Sequence, residues 1–185
     1  MKSFAFLSQD RPGPSYNTLA RRLLRFVPAL MVMGMIWYFS SLTAPDSTVQ
    51  SYTLTYFIVR KLNSLFSWKL TEADLIARAD LLEGLIRKLA HFAEYLLLAL
   101  AIAYPFARSC GLKRKKLLCA VMIFCILYAV SDEFHQIFSE GRSPQLTDVL
   151  IDSLGSLTGM SLRQLFLHLF LRSNKHTSGF VGTPD

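Results

Sequence analysis

Uncharged apolar segments alternate with short polar clusters along this chain, and their lengths predict its helices. Residues 26–45 contain no charged side chain, and about 20 residues of helix are enough to cross a hydrocarbon core of about 30 Å. Two later uncharged segments, residues 95–107 and 117–131, would give only roughly 20 and 22 Å of helix. To cross the membrane, each of these two helices must therefore include neighbouring polar residues. A fourth segment, residues 147–171, is long enough but contains charged residues.

The pattern predicts an all-α membrane protein, a bundle of four transmembrane helices with an interfacial helical segment between helices 1 and 2. The predicted spans cover about residues 24–44, 86–107, 117–138 and 147–170. Residues 46–84 are too many for a turn, and their aromatic residues, interleaved with Arg60 and Lys61, favour a helix lying in the interface. Thr71 and Asp74 resemble a capping box at the start of the helix that leads into the second span.

A single membrane domain, residues 21–171, is expected between a loosely ordered leader, residues 1–20, and a tail, residues 172–185. Lysine and arginine are concentrated before the first span and in the link between the second and third spans, which predicts that both regions are cytoplasmic. With four spans, both termini then lie in the cytoplasm and the protein resides in the cell membrane. A cleaved signal peptide is the alternative for the first apolar run, but the long leader and Pro45 disfavour it.

The composition is more apolar than that of a typical soluble domain, with 52% hydrophobic and 12% aromatic residues. The net charge of +7 does not indicate nucleic acid as a partner, because the basic residues border the apolar segments instead of forming a stripe with stacking aromatics. Cys110, Cys119 and Cys125 form no CxxC pair. Neither a disulfide framework nor a zinc site is therefore predicted.

Three clusters of polar residues occur at the ends of the predicted spans: residues 87–95, residues 132–136, and Arg142 with Asp148 and Asp152. Inserting a charged side chain into the membrane there costs about 2.5–3.5 kcal/mol or more. The four-span topology brings all three to the outer membrane surface, and spacings of three and four residues give each helix one polar face. Ionisable groups kept in such places are candidates for function. We therefore predict one ligand-binding pocket that contains Lys88, His91, Glu94, Tyr95, Asp132, Glu133, His135, Gln136, Arg142, Asp148 and Asp152.

Several of these residues also have a purely structural interpretation. Lys88 at the end of a span is typical of a headgroup anchor, and His91 alone is typical of a hydrogen bond inside a bundle. Arg142 would neutralise nearby carboxylates. Tyr95 and Gln136 fit polar contacts between helices as well as they fit ligand binding.

Two glycines continue the polar face of the fourth predicted helix. Gly155 and Gly159 follow Asp148 and Asp152 as a G-x-x-x-G pair, and small residues at this spacing let two helix backbones approach closely. We therefore expect this face to point into the bundle.

Four motifs together resemble the VanZ-like family of bacterial membrane proteins. They are Arg-Lys-x-x-His-Phe-x-Glu-Tyr at residues 87–95, Ser-Asp-Glu-Phe-His-Gln at 131–136, Gly-Arg at 141–142, and the aspartate and glycine pattern at 148–159. Ser40 and Ser41 also resemble a serine-containing stretch of that family. The family's namesake is associated with resistance to teicoplanin, a glycopeptide antibiotic with a lipid tail. The resemblance therefore implies a role in the cell envelope near the outer leaflet.

Two classes of function remain open. In the first, the pocket binds a membrane lipid, a lipid-linked envelope component or a lipoglycopeptide antibiotic, whose phosphate or carboxylate pairs with Arg142 or Lys88. In the second, the protein is a hydrolase or transferase of a lipid headgroup, with a metal ion as one option. The catalytic candidates are then His91, Glu94, Asp132, Glu133 and His135. The sequence identifies no cofactor or metal, and it has no HExxH or G-x-S-x-G motif, so binding is favoured.

Overall fold

The computed structural model describes residues 16–177, and this part of the chain is helical, with no strand. Its helices are α1 (Tyr16–Leu24), α2 (Val27–Ser40), α3 (Ala44–Phe66), α4 (Glu72–Arg108), α5 (Arg114–Gln136) and α6 (Leu146–Thr177). Helix α1 begins at Tyr16, within the leader that the sequence predicts for residues 1–20. Residues 1–15 of that leader, and residues 178–185 of the predicted tail, lie outside the described residues.

The first predicted span is interrupted between α2 and α3, whose axes are bent by 111°. The cause is a helix start inside the uncharged run: Thr43 caps α3, its hydroxyl accepting a hydrogen bond from the Asp46 amide at 3.3 Å, and Pro45 occupies the first turn. Helix α2 alone has 14 residues, or about 21 Å. The predicted helix between the first two spans is present as α3.

Helix α4 begins where the sequence predicted. Thr71 and Asp74 form a reciprocal capping box, which confirms that prediction. The helix has 37 residues and is therefore about 55 Å long, more than a membrane crossing requires. Helix α3 packs along its N-terminal half, where the Ser51 hydroxyl donates to Glu83 and the Tyr56 hydroxyl donates to Glu72.

Helices α4 and α5 are long and apolar enough to cross a membrane, and α2 with α3 would add a third crossing if the bent pair is one span. Residues 16–177 therefore form a helical bundle with two or three candidate membrane spans, while the predicted count of four is not confirmed. Helix α6 falls short of the same criterion. Its charged residues, including Asp148, Asp152 and Arg163, and its serines, threonines and glycines lower its mean hydropathy.

The closest helix packing joins α6 to α4. A Cβ added to Gly155 would lie 2.2 Å from the carbonyl oxygen of Phe92, and one on Gly159 would lie 2.6 Å from that of Leu96. The prediction that these glycines face the bundle is confirmed. The core lies between α2, α4, α5 and α6 and contains the fully buried side chains of Ile36, Tyr95, Leu98, Val121, Cys125 and Met160.

Candidate functional site

The three polar clusters meet at one end of the bundle because a tight link joins α5 to α6. Backbone hydrogen bonds follow one another through the link, from the Ile137 amide to that of Arg142. Gly141 has φ +75°, and a Cβ there would lie 3.2 Å from that of Ala44. The Ala44 amide also donates to the Glu140 carbonyl oxygen at 3.0 Å. The link is thus fixed against the α2–α3 bend, beside the polar segment of α4.

Asp132 is buried in a hydrogen-bond network between α5 and the end of α2. The Ser40 hydroxyl donates to its carboxylate at 2.7 Å, and the Gln136 side-chain amide approaches the same oxygen at 3.4 Å. Ser139 in turn donates to the Ser40 carbonyl oxygen at 3.1 Å. These partners stabilise a carboxylate that would otherwise be costly to bury.

Glu133 fixes the start of α6. Its carboxylate accepts a hydrogen bond from the Gln145 amide at 2.6 Å and another from the Gln136 side chain at 3.2 Å. Gln145 immediately precedes α6, so the negative charge lies at the positive end of that helix dipole. Sequence analysis did not identify Gln145 as part of the site. The only available signal was its position just before an apolar run.

His135 contacts the C-terminal end of α2. Its ring stacks on Trp37 with centroids 3.9 Å apart, and its Nε2 lies 3.1 Å from the Ser41 hydroxyl. Ser40 and Ser41, which the sequence suggested only through the family resemblance, therefore contact two of the predicted site residues, Asp132 and His135.

His91, Tyr95 and Asp152 form a buried group with few partners. The His91 Nδ1 atom lies 3.9 Å from the Asp152 carboxylate, which is too long for a hydrogen bond. Both Asp152 carboxylate oxygens, the Tyr95 hydroxyl and the His91 Nδ1 are buried without a hydrogen-bond partner. Ser156 bonds only to the main-chain oxygens of Tyr95 and Asp152. Unpartnered buried polar atoms are rare in proteins and are often found at functional positions.

Two of the three cations at the site, Arg87 and Lys88, form ion pairs. Asp148 pairs with Lys88 at 2.9 Å, and Arg87 pairs with Glu83 at 2.9 Å. The Arg142 guanidinium donates to the Phe39 carbonyl oxygen at 3.4 Å, and it forms no ion pair with a described side chain. That its charge offsets the nearby carboxylates stays a prediction. Burial, reinforced by the positive charge of Arg87, lowers the pKa of Arg142, yet arginine remains charged in proteins.

Two cavities open at this cluster and share three lining residues, Arg87, His91 and Arg142. One, of about 200 Å³, lies between the α2–α3 bend and α4 and is mostly apolar; its other lining residues include Phe39, Leu42, Leu54, Ile86, Ala90 and Glu94. The second, of about 220 Å³, is mostly polar; its other lining residues include Lys88, Gln136, Gly141, Ser143, Gln145 and Asp148.

Six of the predicted pocket residues line one or both cavities: Lys88, His91, Glu94, Gln136, Arg142 and Asp148. The other five, Tyr95, Asp132, Glu133, His135 and Asp152, do not line either cavity and belong to the surrounding network. No group of three or more histidine, cysteine, aspartate or glutamate side chains within the described residues is arranged to hold a metal ion.

The comparisons with known proteins agree with the motif pattern. No curated protein and no solved structure shows a significant similarity to the chain. The family model described as VanZ/LLP1 matches residues 26–167, well over half of the 185-residue chain. All of the motifs that suggested the resemblance lie within this range, as do both cavities and their network. The chain therefore belongs to the VanZ/LLP1 family.

Proposed function

We propose that this protein binds an amphiphile with an anionic headgroup at the outer leaflet of the cell membrane. The observation that carries the proposal is the pair of adjoining cavities, one mostly apolar and one mostly polar, that share Arg87, His91 and Arg142. An amphiphile needs both kinds of surface side by side. A membrane lipid, a lipid-linked envelope component and a lipoglycopeptide antibiotic such as teicoplanin all have this chemistry.

Arg142 is the residue to which we assign headgroup recognition. It lines both cavities, and within the described residues it has no carboxylate partner, whereas Arg87 and Lys88 are paired with Glu83 and Asp148. A guanidinium binds phosphate or carboxylate through two parallel hydrogen bonds. The neighbouring positive charge of Arg87 adds to the attraction for an anion.

The orientation rests on the distribution of basic residues. Lysine and arginine lie before α2 and in the link between α4 and α5, the end of the bundle away from the polar cluster. With four crossings, the positive-inside rule assigns that end and both termini to the cytoplasm, and the polar cluster to the outer surface. A protein that sequesters a lipid-tailed glycopeptide there would contribute to resistance of the kind associated with the family's namesake.

Binding can be tested with a matched set of probes on the purified full chain: dodecyl phosphate, dodecylphosphocholine and inorganic phosphate. Dodecyl phosphate should bind more tightly than either of the others, because it alone combines an unneutralised anionic headgroup with a tail. Arg142→Gln should weaken its binding about tenfold, the value of one charge-assisted hydrogen bond. Ala90→Leu, which fills the apolar cavity, should also weaken it, whereas Arg78→Gln, an exposed α4 cation outside both cavities, should not. Equal affinity for all three probes would refute the proposal.

A second candidate function, hydrolysis or transfer of the headgroup, is favoured by the proximity of His91 to Asp152. Asp152 lies 3.9 Å from the Nδ1 of His91, and the histidine side chain lines both cavities. A small approach of the two side chains on ligand binding would give a general base oriented by an acid. A water molecule would lose a proton to His91 while attacking the headgroup ester, and the leaving alcohol would receive that proton. Release of dodecanol from dodecyl phosphate, abolished by His91→Gln while binding persists, would distinguish catalysis from binding.

A further inference from the structure

We infer that the chain has a second ligand site, for the anionic headgroup of a membrane phospholipid, at the end of the bundle opposite the polar cluster. A cavity of about 850 Å³ lies there between the α4–α5 link and the C-terminal half of α6. This inference does not depend on the function proposed for the polar cluster.

Charge is the first reason. The cavity is lined by Lys113, Arg114, Lys115, Arg163 and His168, and no acidic residue lines it. No ion pair among the described residues neutralises any of these side chains. Cations gathered around one space repel each other unless an anion occupies it, and Arg163 is only half-exposed. The charge pattern therefore selects an anionic ligand.

The apolar part of the lining identifies the kind of anion. Four leucines, Leu112, Leu117, Leu118 and Leu167, share the cavity with the basic residues. A small inorganic anion would leave this surface unused. A phospholipid would place its phosphate among the cations and the upper parts of its acyl chains against the leucines, as basic pockets between transmembrane helices do elsewhere.

The depth of the cavity agrees with a headgroup position. Asp148 of the polar cluster and His168 of this cavity both lie on α6, separated by 20 residues, or about 30 Å of helix. That length equals the thickness of the hydrocarbon core of a bilayer. If the polar cluster lies at one membrane surface, this cavity lies at the headgroup level of the other, where anionic lipids attract basic residues.

The test is native mass spectrometry of the purified full chain with phosphatidylglycerol or phosphatidylcholine of identical acyl chains. In an Arg142→Gln background, which weakens the site proposed at the polar cluster, phosphatidylglycerol should still be retained about tenfold more strongly, and adding Arg163→Gln should remove that preference, since one charge-assisted contact corresponds to about this factor. Arg163→Lys should retain most of the preference. Arg78→Gln, an exposed cation outside the cavity, is the matched control and should behave as the unmodified chain.

Equal retention of the two lipids would overturn the inference, and so would an unchanged preference in Arg163→Gln. If Arg163→Gln does not fold, Lys115→Gln replaces it, because it alters an exposed side chain of the same cavity. An unchanged preference for phosphatidylglycerol in that variant would then overturn the inference. Inorganic phosphate is the second arm. If phosphate alone displaces phosphatidylglycerol at equal concentration, the cavity is a site for the free anion and the lipid assignment is wrong.

Discussion

Replacing Gly155 with alanine is expected to destabilise the protein, because the added carbon would overlap the backbone of α4. It would lie 2.2 Å from the carbonyl oxygen of Phe92 and 3.0 Å from the carbonyl carbon. Even a close carbon–oxygen contact needs about 3.3 Å. Since the opposing atoms are backbone, no side-chain rotation relieves the overlap, and α4 and α6 must separate locally by about 1 Å.

The size of the effect follows from two opposing contributions. Overpacking in a well-packed region costs about 1–3 kcal/mol, while alanine regains up to about 1 kcal/mol over glycine in a helix interior. We expect a net loss of about 1–2 kcal/mol for Gly155→Ala. The loss should be smaller for Gly159→Ala, whose added carbon would approach the Leu96 carbonyl oxygen to 2.6 Å. Leucine at either position should cost more than alanine.

The measurement is the midpoint of thermal unfolding of the purified variants in one detergent. Gly34→Ala and Gly84→Ala are matched controls, because both positions are helical and a Cβ there would meet nothing within 4 Å. Both controls should be as stable as the unmodified protein or more stable, through helix propensity alone. If Gly155→Ala were as stable as Gly34→Ala, the close approach of α4 and α6 would be refuted.

Two further predictions concern the network and the topology. Ser40→Ala should destabilise the protein by about 1–3 kcal/mol, because it leaves the buried Asp132 carboxylate without its 2.7 Å partner. Ser41→Ala, at an exposed position, should change stability by less than about 0.5 kcal/mol in the same unfolding assay, and equal losses would contradict this account of Asp132. A cysteine at Ser143, in a chain without other thiols, should react with a membrane-impermeant maleimide in intact cells, whereas Cys110 alone should not; the reverse labelling would exclude the proposed orientation.

Local and periodic features of the fold could be predicted from the sequence. The capping box at Thr71 depends on residues three apart, and the close packing at Gly155 and Gly159 depends on residues four apart. Helical periodicity also places Asp132 and Gln136 on one face of α5, and both are buried. Such features need no knowledge of distant contacts, because the helix itself determines which side chains share a face.

The interruption of the first span cannot be predicted from hydropathy, because it depends on helix-start signals. Thr43, Pro45 and Asp46 form a helix start, with the Thr43 hydroxyl donating to the Asp46 carboxylate at 2.7 Å. Thr43 and Pro45 lie at the end of the uncharged run and Asp46 directly follows it, so a count of apolar residues passes over this signal. The resulting bend supplies Phe39 and Leu42 to the apolar cavity, and the cavity could not be predicted without it.

The choice of ion-pair partners could not be read from the sequence either. Arg142 and Lys88 are both plausible partners for Asp148, and only the fold of the α5–α6 link decides between them. In the structure Asp148 pairs with Lys88, and the Arg142 guanidinium donates to a backbone carbonyl oxygen instead. The consequence is functional, because the cation with no carboxylate partner is the one that lines both cavities.

Polar side chains of this site that have a hydrogen-bond or ion-pair partner hold the fold together, whereas those without a partner are available to a ligand. Charged groups within a membrane domain are costly unless they are compensated, and most of them here are: Asp132 by Ser40, Glu133 by the Gln145 amide, and Asp148 by Lys88. Within the described residues, the groups left without such partners are Arg142, Glu94, His91 and Asp152 with the neighbouring Tyr95 hydroxyl. They are concentrated at the junction of the two cavities and directly behind it. A ligand that enters there would meet hydrogen-bonding groups that the network itself does not use. Headgroup binding should therefore depend on Arg142, and any catalysis on His91 and Asp152, rather than on the paired residues.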